Sequence, residues 1–305
     1  MEFCLPHHFA VFGDVHGRIA LMLVISRLWE IESGQRLAGI LQVGDMGAFP
    51  DHQRLDDSTA RFARHDRDEL GYLEFLEGVG EAPRFLDDDA APMTLWVRGN
   101  HEDFEHLGEF EEPGPIDPFG RLLYLPDDSH VDLGPLRIAG FGGIPPSLEE
   151  PGAGRSAREE FRRAQRKAEQ DPRRFTLEAA SRAFRRVDDI DVLMTHAGPR
   201  CNSFAHGSLA LAELATRVRP RVHLFGHHHA VVGPCSGPGA ALLVGLEHLE
   251  FDRSSKDLRD GSCGLLTLEE RGGAAPSFRF FSAEQDSWWP KVRRKSYRDL
   301  WPGWS

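Results

Sequence analysis

His8-Phe9-Ala10-Val11-Phe12-Gly13-Asp14-Val15-His16-Gly17 is the stretch on which the fold turns. The apolar run Phe9–Phe12 has the length of a buried strand, and Gly13 and Gly17 bracket a tight turn that leads into a helix. Asp14 and His16 stand two residues apart in what reads as an extended turn, so both can face one cation. The same order of elements recurs along the chain. Ile40-Leu41-Gln42-Val43-Gly44 ends in Asp45, and Thr94-Leu95-Trp96-Val97-Arg98-Gly99 ends in Asn100-His101. Val192-Leu193-Met194-Thr195 ends in His196, and Val222-His223-Leu224-Phe225-Gly226 ends in His227-His228-His229. In open α/β sheets the reactive groups gather beyond the carboxyl ends of the strands. Convergence of these ends would bring two Asp, one Asn and several His into one cleft, which is a two-metal site.

Composition bounds the rest. The chain has 305 residues, 40% of them hydrophobic and 20 of them Phe, enough for a sizeable core. A net charge of −12 argues against a general nucleic-acid binder, although a cleft holding cations can still take a phosphate. The cysteines Cys4, Cys201, Cys235 and Cys263 form no Cys-x-x-Cys pair, so a zinc knuckle or a disulfide framework is not indicated. No window approaches a membrane span and no basic start precedes a long apolar stretch, which makes the cytoplasm the expected location.

Taken in order, residues 8–48 read as strand, helix and strand. Residues 51–92 are polar, with Phe62, Leu70, Leu73 and Leu76 hinting at a helix before Gly78, Gly80 and Pro83 break it. The acidic run Asp87-Asp88-Asp89 reads as solvated loop. Residues 102–120 suggest a long loop near the cleft mouth, and Ser129–Leu133 with Leu136–Phe141 a β-hairpin. From Arg155 to Arg186 there are 11 Arg and Lys against 5 Asp and Glu, a local charge of +6. That segment reads as arginine-rich helices interrupted at Asp171-Pro172, either a basic rim that draws an anionic substrate or a plain solvated face. A helix is expected around Ser208–Val218. The apolar pieces from Ala241 to Phe281 read as antiparallel strands completing a second sheet. In the tail, Trp288, Trp289, Trp301 and Trp304 stand among Lys291, Arg293, Arg294 and Lys295. Such a mixture can bind single-stranded nucleic acid, but docking of the tryptophans on their own domain is the favoured reading.

Five motifs now stand in order: Gly13-Asp14-Val15-His16-Gly17, Gly44-Asp45, Gly99-Asn100-His101-Glu102, Thr195-His196-Ala197-Gly198-Pro199 and Gly226-His227-His228-His229. In these motifs the chain resembles the calcineurin-like metallophosphoesterases. The resemblance implies an α/β fold, a four-layer αββα sandwich with two mixed β-sheets flanked by helices. The chain is read as one domain over residues 1–285, with helical insertions near 51–92 and 150–187 and a Trp-rich basic tail over 286–305. One cation would be held by Asp14, His16, Asp45 and His229, the other by Asp45, Asn100, His196 and His227. Oxygen and imidazole donors without thiolate suit two divalent or mixed-valence ions of Mn, Fe, Zn or Ni. The implied catalytic set is His101, Asp14 and Asn100: a hydroxide bridging the metals attacks the phosphorus, and His101 protonates the leaving oxygen. Arg200 is a candidate for binding the substrate phosphate. Arg18 and Arg98 border the metal turns and are as readily phosphate contacts as surface residues. His7 and His8 match no motif and read as exposed, and His228 should point away from its neighbours.

The protein serine/threonine phosphatases follow Gly-Asp with Asp-Arg-Gly, whereas this chain continues Met46-Gly47-Ala48-Phe49-Pro50. The stretch Gly99–Ile144 is loosely similar to RNA lariat debranching enzymes and other phosphodiesterases. The expected function is therefore hydrolysis of a phosphate ester, a phosphodiester ahead of a phosphomonoester. The alternatives are a protein or nucleotide phosphatase and a catalytically silent metal protein that docks partners.

Overall fold

The structure, a computed structural model, describes residues 6–87, 91–146 and 157–301. Cys4, Asp88, Asp89, Arg155 and Trp304 lie outside the described residues, as does the side chain of Phe161. The chain runs through β1 (His7–Phe12), α1 (Ile19–Ser33), β2 (Gly39–Gln42), α2 (Asp57–Ala63), α3 (Tyr72–Glu77), α4 (Ala82–Leu86) and β3 (Thr94–Val97). It continues through α5 (Phe104–Leu107), β4 (Gly114–Pro115), β5 (Leu122–Leu125), β6 (Ser129–Leu133), β7 (Leu136–Phe141), α6 (Ala157–Gln170) and α7 (Leu177–Arg182). It closes with β8 (Val192–Thr195), α8 (Leu209–Val218), β9 (Val222–Phe225), β10 (Val232–Cys235), β11 (Leu242–Gly245), β12 (Cys263–Leu268) and β13 (Ser277–Phe280).

Two mixed sheets result. The first has the order β13-β12-β1-β2-β3-β5-β4, and the second β10-β11-β9-β8-β7-β6. The ligand-bearing strands β1, β2 and β3 are parallel neighbours in the first sheet, and β8 and β9 are parallel neighbours in the second. Their carboxyl ends therefore lie along one edge of each sheet.

The alternation of side chains along a strand explains the layers. Phe9, Val11, Leu41, Val43, Leu95 and Val97 pack with Ile138, Val192, Met194, Val222 and Leu224 between the sheets. On the opposite face of the first sheet, Ala10, Phe12, Ile40 and Trp96 meet α1, α3, α4 and the C-terminal Trp288 and Trp289. Ala139, Phe141 and Leu193 on the second sheet meet α7 and α8. The fold is the four-layer sandwich. Because these strands are covered on both faces, they read as continuous apolar runs instead of alternating ones.

Several local expectations hold and several change. The hairpin of β6 and β7 is present, Ser208 caps α8 through its side chain, and the arginine-rich segment breaks after Gln170. The described residues of 51–92 form not one helix but three short α-helices with 3-10 turns at His52–Arg54 and Arg67–Leu70. The Gly- and Pro-rich segment 102–120 contains α5 and an edge strand, β4. The apolar pieces after Ala241 do not all join one sheet. β11 runs parallel to β9 in the second sheet, while β12 returns to the first and pairs antiparallel with β1. Apolar content marks a strand, but its partner is set by how the chain crosses the sandwich. His7 and His8 belong to β1, and His8 Nδ1 lies 3.1 Å from Thr267 Oγ1. They are half-buried, since β12 covers that end of the strand.

Candidate metal centre

Each candidate ligand follows a strand end. Asp14 and His16 follow β1, Asp45 follows β2, Asn100 and His101 follow β3, His196 follows β8, and His227 and His229 follow β9. The turns themselves are unusual. His16, Asp45, His227 and His229 have φ of 45°, 55°, 65° and 48°, a left-handed conformation that costs energy in residues bearing a Cβ. The turns after β1 and β9 are therefore not extended, and the side chains converge by backbone reversal. Glycines make room for this. A Cβ at Gly99 would lie 1.9 Å from Asp45 Oδ1, and one at Gly226 would lie 2.3 Å from Asp14 Oδ1.

The two aspartates are tied down by backbone. Asp45 Oδ1 accepts from the amides of Asn100 and His101 at 2.6 and 2.7 Å. Its other oxygen, Oδ2, lies 3.5 Å from His196 Nε2 and 3.8 Å from His16 Nε2. Asp14 Oδ1 accepts from the His227 amide at 2.9 Å, a bond that joins the two sheets. Asp14 Oδ2 is buried with no hydrogen-bond partner, and His229 Nε2 stands 3.9 Å from it. Asn100 Oδ1 is 3.1 Å from His196 Nε2, and the rings of His196 and His227 are 5.0 Å apart. All seven candidate ligands thus meet in one cluster. Asp14, His16 and Asp45 by themselves form a group able to hold an ion.

The electrostatics fit a cation. Burial, together with the nearby Asp45 charge, pushes the Asp14 carboxyl above its ordinary range. Burial also works against ionised Asp45, but His196, His16 and His101 hold it well below the usual range. Burial lowers His16 and His227 to about 3, so both present neutral imidazole, the form that ligates metals. His196 is opposed by burial yet raised to about 9 by Asp45 and Asp14. Its Nδ1 donates to the Val43 carbonyl at 2.9 Å, which leaves Nε2 to turn towards Asp45 and Asn100. Two adjacent buried carboxylates, one with an unpartnered oxygen, amid oriented imidazoles make a donor set suited to metal.

The calcineurin-like phosphoesterase family matches residues 7–231, most of the chain. The chain belongs to that family. It is a metallophosphoesterase, and all seven candidate ligands lie within the matched residues. The crystal structure of TT1561 of Thermus thermophilus is similar at 15% identity and a TM-score of 0.51, covering 90% of this chain and 99% of that one. A second crystal structure is similar at 14% identity and a TM-score of 0.51, covering 91% of this chain and all of its own. These two likenesses speak to the fold. The crystal structure of a conserved uncharacterized protein (predicted phosphoesterase) from Streptococcus pneumoniae TIGR4 matches only at 10% identity and a TM-score of 0.34, covering 91% of this chain and 99% of that one. No curated protein matches the chain.

Around the metallophosphoesterase centre the structure adds residues that motif reading passes over. Asp56 Oδ2 lies 2.8 Å from His101 Nδ1; it sits in the polar insertion, 45 positions away, and no local pattern points to it. Glu102, buried and raised to about 8 by burial and by Asp45, accepts from the amides of Met46, Ala48 and Gly99 and so locks two ligand turns together. Its place next to Asn100-His101 was the available signal. Gln42 bonds Gly13 and Gly44. His228 does turn aside: its Nε2 accepts from the Gly198 amide at 2.9 Å, joining the last two motifs. Arg18 is held by Asp66 and Glu69 at 3.0 and 2.7 Å, and Arg98 by Asp127 at 2.7 Å, so neither guanidinium faces a ligand freely. Arg200 is exposed and lines a separate cavity of about 600 Å³ with His206, Ser208 and Arg217.

Proposed function

We propose that this metallophosphoesterase hydrolyses phosphodiesters at a dinuclear centre, with Asp14, His16, Asp45 and His229 holding one cation and Asp45, Asn100, His196 and His227 the other. The observation that carries the reading is the buried Asp14–Asp45 pair, with Asp14 Oδ2 unpartnered and imidazoles on both sides. Mn, Fe, Zn or Ni suits these donors. Such ions supply Lewis acidity, drawing charge from the phosphoryl oxygens and acidifying water.

The chain's own groups do the rest. The amides of Asn100 and His101 fix Asp45 Oδ1 and leave the carboxylate oriented, with Oδ2 the oxygen that would remain for a metal. His101 is opposed by burial, but its bond to Asp56 and the Asp45 charge raise it to about 9. It therefore holds a proton at neutral pH, and with Nδ1 given to Asp56, Nε2 is the atom that donates to the leaving oxygen. A phosphomonoester dianion asks for a further donor to its third free oxygen. Arg18 and Arg98, the cations bordering the metal turns, are committed to carboxylates and do not supply it. A silent docking protein is disfavoured because Trp288 and Trp289 are buried in the protein's own core.

We read residues 1–285 as one domain and 286–305 as its tail. A cytoplasmic location accords with Cys201, Cys235 and Cys263 being free, and no described helix is long and apolar enough to cross a membrane. The test is elemental analysis joined to turnover of bis(4-nitrophenyl) phosphate and 4-nitrophenyl phosphate with added Mn. Two metals per chain and higher kcat/KM on the diester are expected. A monoester preference moves the reading to a phosphatase, and no turnover of either with metals bound defeats it.

A further inference from the structure

We propose that the cavity beside the metal centre binds a second phosphate carried by the substrate, and that Arg253 is the residue that holds it. The inference rests on the phosphodiesterase reading of the centre and goes further, since it assigns the substrate class: a small diester with an additional phosphate outside the scissile linkage.

His16, His101 and His229 line a cavity of about 440 Å³ that also takes in Phe62, Arg253 and Arg259. That volume suits a molecule of nucleotide size better than a folded protein surface. The charges along its walls are largely neutralised. Arg18 is paired with Asp66 and Glu69. Arg259 is paired with Glu250, and His248 lies 2.8 Å from both Glu247 and Glu250. The carboxylates Glu69 and Glu250 are thereby spent on neighbours and do not repel an anion strongly.

Arg253 differs. Among the described residues no carboxylate pairs with it; its guanidinium carbon stands 5.8 Å from the centre of the Phe62 ring. The adjacent Asp252 keeps its charge but turns to its own loop, where Oδ1 accepts from the amides of Ser254 and Ser255 at 2.8 and 2.9 Å, and it forms no ion pair with Arg253. A guanidinium resting on an aromatic ring keeps its N–H fork free and matches a phosphate with two parallel hydrogen bonds. In a chain of net charge −12, an exposed guanidinium without an ion-pair partner at the rim of the cavity that His16, His101 and His229 line is a discriminating feature.

The experiment uses two diesters that both release 4-nitrophenolate: thymidine 5′-(4-nitrophenyl phosphate) and the same compound with a 3′-phosphate. The metal-loaded wild-type protein is expected to prefer the 3′-phosphorylated ester. Arg253→Glu should lower the ratio of the two kcat/KM values by about tenfold, the effect of losing one charge-assisted contact. Arg253→Lys should keep part of the preference, and elemental analysis should find the metals retained in both variants. A ratio that does not move in Arg253→Glu overturns the inference. If the wild type turns over neither ester, the phosphodiesterase reading fails by itself. Calorimetric binding of thymidine 3′,5′-bisphosphate then decides the subsite: equal affinity in wild type and Arg253→Glu overturns it, and loss in the variant upholds it.

Discussion

The turns at the strand ends and the insertion between β2 and β3 face the same cavity and are held by different means. The turns are fixed by buried backbone: the amides of Asn100 and His101 on Asp45, that of His227 on Asp14, and three amides on Glu102. The insertion, residues 52–86, packs Tyr72, Phe75, Phe85 and Leu86 into the core, while its polar stretch is held by charged side chains. Arg18 ties it to the β1 turn, Arg298 ties Asp68 and Glu81 to the tail, and Arg294 bonds the His65 carbonyl. Yet the insertion supplies Asp56 to His101 and Phe62 to the cavity. The candidate ligands thus rest on turns locked by backbone, while Asp56 and Phe62 rest on a stretch tied by ion pairs, buried at Arg18–Glu69 and partly exposed at Arg298, the latter worth little alone.

That contrast can be broken at either end. The largest effect is expected from Asp45→Ala, which should lose metal and cut turnover more than about a hundredfold, beyond the cost of losing a partner outside the ligand set. Metal content and activity are measured together, and retention of both metals would remove Asp45 from the bridge. His101→Ala should lower kcat by about a hundredfold with metals retained, the usual worth of a positioned acid. Loss of metal in that variant would make His101 a ligand instead.

Asp56→Asn probes the join between the two regions. His101 must be protonated to donate, so activity falls as pH rises through its pKa, and Asp56 is among the groups that raise that pKa to about 9. Removing the charge should shift the alkaline limb of the kcat profile to lower pH, by about one unit. An unmoved limb would exclude the pair from proton transfer. The smallest effect is expected from Arg298→Ala. Its ion pairs are partly exposed, so the loss in unfolding free energy should be about 1 kcal/mol and should shrink in high salt. A salt-independent loss several times larger would show that the tail is held by packing more than by charge.

The legibility of the sequence follows the same division. Asp14, Asp45 and His196 could be placed because a strand buried on both faces leaves an apolar run, and the residue after it is conspicuous. Asp56 could not, since a carboxylate in a polar insertion looks like any solvated one until the fold brings it to His101. Arg18 and Arg98 were ambiguous for the same reason: their partners Asp66, Glu69 and Asp127 are far along the chain. The return of β12 to the first sheet was equally hidden, because strand pairing is a long-range choice among several apolar edges.

By itself the sequence determined the strand ends, the types of donor at each and the family they resemble, because local periodicity and turn residues are short-range properties. Only the tertiary structure decided which oxygen of each aspartate stays unengaged, which arginines are already paired and which carboxylate orients His101. Those depend on the crossing of two sheets and on contacts between residues scores of positions apart, where burial and charge act through space and not along the chain.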